Sequence, residues 1–455
     1  NPGFDIDEIR VSNIEREPGI PSGPYTVDAD TLLLDHLDKL TNLGPGRITT
    51  NPEVGRKGIV SGPANLVEGK FGKSLPTIGE KMLTLDYYKK LGVKTLILGE
   101  GWSEYQNYGE TINNQEKLKR LIKACHDRGI QIIPYMGYEM ADICPEWEPY
   151  HDEMLVMPIS GNYVREPKQT DRIVCYNSAW QDFIANSVAK MIDKYGFDGV
   201  YLDGTAEPRK CLNTAHGCGY TRPDGTIAST YSFVGAREML KRLYTIIKTR
   251  KPNGQINLHN SLTMIIPSIG WATSTWDGEQ FGILRSTASI EGLFPLDAFR
   301  AEFMGRQWGV PAEMLCYEQP YTSHQAFSFS LLHDILVRGN GPSLEEESAI
   351  WKVMDKFGLK SAEFRPYWNN SRLVTISGTK TYISLYVHSG KGVMCVVSNL
   401  GKDTASINVS LNIKKMKLSD KAKAVNAFTG EEIPITNGKF SVQLDSFDYA
   451  LIWIK

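Results

Sequence analysis

Apolar and polar positions alternate on two scales along this chain, and the change of scale divides it. Between about residue 57 and residue 345, short apolar runs are interleaved with amphipathic stretches of helical period, which predicts an α/β domain built on a parallel sheet. The candidate strands are "KGIVSG", "KTLILGEGW", "IQIIPYMGYE", "FDGVYLDG", "QINLHNS", "WATSTWDGEQ", "PAEMLCYEQ" and "DILVRGNGP". Eight is the number that closes a (β/α)8 TIM barrel. Helical segments such as "EKMLTLDYYKKLG", "NQEKLKRLIKACHDRG" and "SAWQDFIANSVAKMIDKYG" fall where crossovers are required. In the last, Trp180, Phe183, Ile184, Val188, Met191 and Ile192 recur at three- and four-residue spacing and form one apolar stripe. Each segment stops at a glycine that feeds the next strand.

After about residue 370 the pattern changes to alternating runs separated by turns such as "HSGKG" and "TNGK", which predicts a C-terminal antiparallel β-sandwich. The expected division is an N-terminal extension over 1–55, the barrel over 56–345, a helical connector over 346–370 and the sandwich over 371–455. A chain of 455 residues is long enough for two cores. Its 41% hydrophobic and 22% charged residues are ordinary globular composition.

The formal net charge of −2 supplies no basic field, so nucleic acid is not expected as a partner. No apolar run reaches the roughly 18 to 20 residues of a membrane span. The opening "NPGFDIDEIR" lacks a signal-peptide layout, so the chain is expected to be a mature or trimmed soluble form. Seven cysteines show neither C-x-x-C nor His/Cys metal spacing, and the eight histidines are dispersed without H-E-x-x-H; no metal is expected. Cys211 and Cys218 are near enough in sequence to bridge a loop. The glycines near 44 and 339–342 lack a P-loop context, and no cofactor is expected.

The stretch "YGFDGVYLDGT" carries two aspartates, Asp198 and Asp203. If it is a barrel strand they lie roughly 16 Å apart at about 3.3 Å per residue, at opposite ends of the barrel. Active sites of this fold occupy the C-terminal ends of the strands, which makes Asp203 the functional candidate and leaves Asp198 to the turn or the backbone. The alternative for Asp203 is a carboxylate that caps the next loop. The same reasoning collects Glu100, Trp102, Tyr135, Tyr138, Glu139, His259, Asn260, Asp277, Glu279 and Glu318 at one rim. Carboxylates for hydroxyls and chemistry, with flat rings for the apolar faces, are what a sugar site requires.

Glycoside cleavage commonly uses two carboxyl groups, and Asp203 is the first. Asp277 and Glu279 share parity along the sixth strand; Glu279, further past its end, is preferred as the second, ahead of Asp277, Glu318 and Glu100. The plainer alternative is that Asp277 and Glu279 only bind hydroxyls. Trp102, Tyr135, Tyr138, Tyr201 and Trp276 are candidate sugar platforms or packing residues, and His259 a hydrogen-bonding rim residue or a core histidine. Arg209 and Arg285 would read a carboxylate or sulfate on the sugar, or hold a loop.

These motifs, "KTLILGEGW", "RGIQIIPYMGY", "YGFDGVYLDG" and a carboxylate on the sixth strand, resemble the clan-D glycoside hydrolases, the α-galactosidase and α-glucosidase superfamily, over about residues 80 to 345. The resemblance implies a fourth-strand aspartate nucleophile, matched by Asp203, a sixth-strand acid/base, retention of configuration, and an all-β domain behind the barrel. It also implies an oligo- or polysaccharide substrate and a periplasmic or secreted location. The chain departs from the pattern in "GEGW", where paired aspartates precede Gly-Trp in α-galactosidases, in "YLDGT" and in "WDGEQ"; it reads as a divergent member. Two alternatives stand beside this reading: a substrate-assisted N-acetylhexosaminidase in which "WDGEQ" orients the acetamido group, and a sugar-binding barrel without catalysis.

Overall fold

The computed structural model describes residues 85–161, 163–165, 168–261, 265–279, 296–302, 309–317, 321–338, 344–419 and 421–455, with short stretches (5–6, 9–12, 14, 24–35, 40–42, 48–50, 59–60, 67–68 and 73–76) before them. The chain separates into two compact units, residues 93–315 with 334–336, and residues 1–92, 316–333 and 337–455. No helix among the described residues is long and apolar enough to cross a membrane.

Seven strands form one sheet: β1 (Thr95–Leu98), β2 (Gln131–Met136), β3 (Gly199–Asp203), β4 (Gln255–His259), β5 (Ser274–Asp277), β6 (Ala312–Leu315) and β7 (Leu336–Arg338). They lie in sequence order across it, and the pairs from β1 to β6 are parallel. They correspond to the second through eighth expected strands, and the architecture is that of a TIM barrel followed by a β-sandwich. The first expected strand, at 57–62, belongs elsewhere. Ile59–Val60 pairs antiparallel with Ile48–Thr50, which in turn pairs with Leu40–Asn42. Two apolar residues among turn-forming glycines suffice for a local antiparallel pairing but not for a parallel barrel strand.

The crossovers around β3 follow from their apolar stripes. α1 (Gln115–His126), α2 (Trp180–Tyr195) and α3 (Phe233–Arg250) each bury one face. In α2 that face is Trp180, Ile184, Val188, Met191 and Ile192, all under 5% exposed. The helix stops at Gly196, whose left-handed backbone (φ 88°) lets its N–H donate to the Ile192 carbonyl. Three residues later β3 begins. Its first residue must be glycine: Gly199 has φ 145°, and a Cβ there would stand 2.0 Å from the Gln255 carbonyl oxygen of β4. This close approach sets the β3–β4 register, with Tyr201 opposite Asn257 and Asp203 opposite His259.

In the other unit, a six-stranded antiparallel sheet and a three-stranded one (Val374–Ile376, Ala405–Leu411 and Lys439–Leu444) enclose a core that includes Ile383, Leu385, Val397, Ile407, Val409 and Ile452. Its longest pairing runs from Thr381–His388 to Gly392–Asn399 and on to Asp448–Ile454. The alternation of buried and exposed positions in Ala405–Leu411 is the period-two signal that marks these strands in the sequence.

Candidate active site

Strand register places the central residues in two adjacent layers. Tyr135 on β2 lies beside Tyr201 on β3, Asp203 beside His259 on β4, and His259 beside Trp276 on β5. Asp203 and His259 are the last residues of their strands. Asp203 Oδ2 accepts from the Tyr135 hydroxyl at 2.5 Å, and Oδ1 lies 2.7 Å from His259 Nδ1. The same imidazole nitrogen is 2.8 Å from the Tyr201 hydroxyl. Its other nitrogen, Nε2, is 2.6 Å from Ser261 Oγ and 3.3 Å from Glu279 Oε2. His259 therefore touches both proposed reacting carboxyls, one from each side of its ring.

Burial acts to raise Asp203, but the hydrogen bond and charge of His259, the Tyr135 hydroxyl and the Arg165 charge outweigh it and hold the carboxyl below its usual range. Asp203 is thus an anion with its two oxygens oriented. The side chain keeps 30% of its surface exposed, so a ligand can reach it. Tyr135 moves the opposite way: burial, then the Asp203 charge and hydrogen bond, raise its hydroxyl far above the ordinary phenol.

A cavity of about 460 Å³ opens over this carboxylate, lined by Glu100, Tyr135, Tyr138, Glu139, Tyr163, Val164, Arg165 and Asp203. Four of these, Glu139, Tyr163, Val164 and Arg165, come from an antiparallel insert after β2, in which Glu139–Ala141 and Tyr163–Arg165 both pair with Gln169–Ile173. Arg165 is the hub of the insert. It binds Glu100 and Asp171 and lies 3.9 Å from Glu139. Glu139, 2% exposed, accepts from the Tyr138 backbone N–H, and Asn107 donates to its carbonyl at 2.6 Å. Burial, with the Asp203 and Asp171 charges, outweighs Arg165 and Asn107 and pushes Glu139 up to about 7. Beside Glu100, the cavity therefore sets an ionised carboxylate, Asp203, near a carboxyl poised near neutrality, Glu139, the pairing that acid–base chemistry requires. A larger hollow on the sandwich, about 610 Å³, is lined by Thr375, Asn408, Ser410, Lys439 and Phe440 among others and has no carboxyl or imidazole in its wall.

The other expected site residues fall into different surroundings. Asp277 ends β5 only 2% exposed, whereas Glu279, beyond Gly278, is 44% exposed and its N–H donates to Ser261 Oγ. The strand stops at Asp277, so the shared parity of the two acids does not carry across the turn. Trp102 donates its indole N–H to the Tyr135 carbonyl at 3.0 Å and meets Phe197 edge-on, which supports β2 from beside the cavity. Trp276 is buried, packs on Tyr201 at 4.9 Å and donates to Glu313. Tyr138 lines the cavity with its hydroxyl 3.0 Å from that of Tyr163 and with Arg209 over its ring at 4.5 Å. Arg209 also pairs with Glu207 at 3.1 Å. Gly204 sits under the Tyr138 ring, where a Cβ would come within 2.3 Å. Asn260 is 4% exposed beside His259, and its side-chain amide has no hydrogen-bond partner among the described residues. Arg285 and Glu318 lie outside the described residues.

Asp198, at the other end of β3, accepts from the Ile132 N–H at 3.0 Å and from Lys251 at 3.4 Å, and lies 2.7 Å from His126 Nε2. It is a buried tie between strands, as its position at the N-terminal end implies. Sequence reasoning did not select Tyr163, Arg165 or Asp171. Nothing in "NYVREPKQTDR" signals that this short charged hairpin folds back over the β3 end.

A family model described as glycoside hydrolase 123, C-terminal domain, matches residues 346–439, and one described as hypothetical glycosyl hydrolase 6 matches residues 80–204. No curated protein matches the chain. Among solved structures, the noncanonic maltogenic α-amylase of Thermotoga neapolitana aligns at 11% identity over 82% of this chain and 93% of its own, with a TM-score of 0.53. The α-amylase of Geobacillus thermoleovorans in complex with acarbose aligns at 9% identity over 82% and 90%, with a TM-score of 0.52. A GH27 β-L-arabinopyranosidase from Geobacillus stearothermophilus, in complex with arabinose, aligns at 11% over 82% and 91%, with a TM-score of 0.50. These likenesses show the barrel fold, and the family models match parts of both the barrel and the C-terminal β domain. The chain thus joins a TIM-barrel fold to two segments, one in the barrel and one in the C-terminal β domain, that are similar to glycoside hydrolase families.

Proposed function

We propose that the protein cleaves a glycosidic bond of an oligo- or polysaccharide, with Asp203 attacking the anomeric carbon and Glu279 serving as acid and then as base. The observation that carries this reading is the state of Asp203. It is an ionised, oriented carboxylate at the C-terminal end of β3, open to a cavity with an aromatic wall. Glu279 follows β5 and reaches the same imidazole from the solvent side. Tyr135, Tyr138 and Tyr163 supply flat apolar surface for a sugar ring, and Glu100 and Arg165 supply polar groups for hydroxyls. A periplasmic or secreted place of action goes with this substrate.

A second assignment of the proton donor rests on Glu139. Its carboxyl lines the cavity and, at about 7, keeps a proton into the neutral range, as a general acid must. The pH profiles of Glu139→Gln and Glu279→Gln decide between them: the donor's variant loses the alkaline limb and regains rate on substrates with good leaving groups, whereas the other variant keeps both.

The test of the whole reading is hydrolysis of aryl α- and β-glycosides, with galactosides, glucosides, fucosides and N-acetylhexosaminides included, by wild type and Asp203→Ala. Activity in wild type that disappears in the variant at an unchanged Tm is the expected result. Undiminished activity in the variant would sink the assignment. Because His259 stands between Asp203 and Glu279, the first-formed anomer read by NMR is also informative. Retention supports attack by Asp203, and inversion makes Asp203 the base that activates water.

A further inference from the structure

Away from the cavity, Cys175, Cys211, His216 and Cys218 bring three sulfurs and one imidazole nitrogen within 4.8 Å of one another. We propose that these four side chains form a structural zinc site, a clasp on the loop that follows Asp203. None of the four lines the cavity, so the inference stands independently of the glycosidase reading.

The distances suit one tetrahedral ion. Cys175 Sγ and Cys218 Sγ are 3.7 Å apart, and Cys211 Sγ is 3.3 Å from His216 Nε2. With Zn–S near 2.3 Å and Zn–N near 2.0 Å, a tetrahedron has S···S edges of about 3.8 Å and S···N edges of about 3.6 Å. A disulfide would need the sulfurs at about 2.05 Å, and all seven cysteines of the chain are free.

The surroundings point the same way. The three cysteines are at most 1% exposed and pack with Val156 and Ile173, so the position is closed, as structural sites are. His216 Nδ1 lies 2.6 Å from the Glu153 carbonyl oxygen. A carbonyl only accepts, so Nδ1 carries the proton and Nε2 turns its lone pair toward the sulfurs, the arrangement that holds a metal-binding histidine. The sulfurs receive N–H groups: Met157 and Asn213 donate their backbone N–H to Cys211 at 3.4 and 3.3 Å, and Asn177 Nδ2 donates to Cys218 at 3.3 Å. A neutral thiol is a weak acceptor, whereas a metal-bound thiolate is a good one. Three soft thiolates and an imidazole, without a carboxylate, favour zinc over magnesium, calcium or manganese.

The ligands come from two places in the chain. Cys175 follows the last strand of the cavity insert, and its N–H donates to the Met154 carbonyl. Cys211, His216 and Cys218 lie on the long excursion after β3, where Asn213 caps the single turn Thr214–His216. Tyr176, next to Cys175, donates its hydroxyl to the Gly204 carbonyl directly beyond Asp203. One ion would thus fasten the post-Asp203 excursion to the segment that leads into α2.

The test is metal analysis of the full-length chain purified without a histidine tag, with Cys218→Ser and, as a control, the sandwich variant Cys395→Ser. We expect one zinc per chain in wild type and in the control, and a roughly ten-fold or greater loss in Cys218→Ser. Replacement by cobalt in wild type should give thiolate-to-cobalt charge-transfer absorption with tetrahedral ligand-field bands, a result that does not depend on the variant folding. Wild type that carries no zinc and gives no such bands overturns the proposal, as does a Cys175–Cys218 disulfide found by peptide mass.

Discussion

The two ends of β3 carry the same residue type to opposite purposes. Asp198 is 7% exposed and its carboxylate is tied to a backbone N–H, a histidine and a lysine from neighbouring elements. Asp203 also has its oxygens engaged, but by the tips of Tyr135 and His259, and it faces a cavity. The lesson concerns where the partners of a charge leave it. Partners that close around a carboxylate, as the Ile132 N–H, His126 and Lys251 do, fix it for structure, whereas partners beside an opening hold it ready while leaving it accessible.

The comparison predicts that the two aspartates separate activity from stability. Asp203→Ala should cost ~10⁴-fold in kcat on any substrate the enzyme turns over, with Tm unchanged within a degree or so. Asp198→Ala should do the reverse: denaturant titration should show a loss of about 3 kcal/mol, because Lys251 and the Ile132 N–H are left behind, with kcat of the folded fraction within a few-fold of wild type. Equal loss of activity in both variants would erase the distinction.

Smaller effects sharpen it. His259→Ala removes the group that touches both Asp203 and Glu279, and kcat should fall ~10²-fold with a shift of the acidic limb to higher pH, since the imidazole no longer helps hold Asp203 ionised. Glu139 makes a contribution of the opposite sign. Its native value of about 7 lies above the unfolded 4.5, so its stabilisation is complete below 4.5 and is lost as pH rises through 7, by about 3 kcal/mol in all. Unfolding titrations of Glu139→Gln should show a flatter stability profile between pH 4.5 and 8 than wild type. Tyr135→Phe, which deletes one hydrogen bond to Asp203, should cost only ~10-fold in kcat/KM.

Much of this is legible in the sequence. The stripe of α2 and the glycine at its end locate β3, and β3 alone decides which aspartate faces the site. The sandwich is equally plain, because period-two alternation such as that of Ala405–Leu411 is local. What stayed hidden depends on contacts between distant segments. The parity argument that joined Asp277 to Glu279 assumes an unbroken strand, and Gly278 breaks it. The short run at 57–62 has strand composition, yet its partner at 48–50 makes it antiparallel. Glu139 stood among the rim acids, but its elevation comes from burial beneath a hairpin whose course the sequence does not encode. Cys175 lies too far along the chain from Cys211, His216 and Cys218 for any spacing rule to join them.

The division of labour between sheet and insert has a consequence for how such an enzyme can change. Tyr135, Asp203 and His259 are set by strand register, each from a different strand, with Asp203 level with His259 and Tyr135 one layer below at the level of Tyr201. Tyr163, Val164 and Arg165 belong to a hairpin that shares no strand with them. Replacing residues 163–165, or grafting another hairpin between 142 and 170, would redraw the wall against which a sugar is chosen while the reacting row stays in place. On the proposed function, Tyr163 and Val164 are the positions to randomise first, with Arg165 kept because its charge helps hold Asp203 ionised: variation there should change which glycan is accepted, and variation in the row should abolish activity.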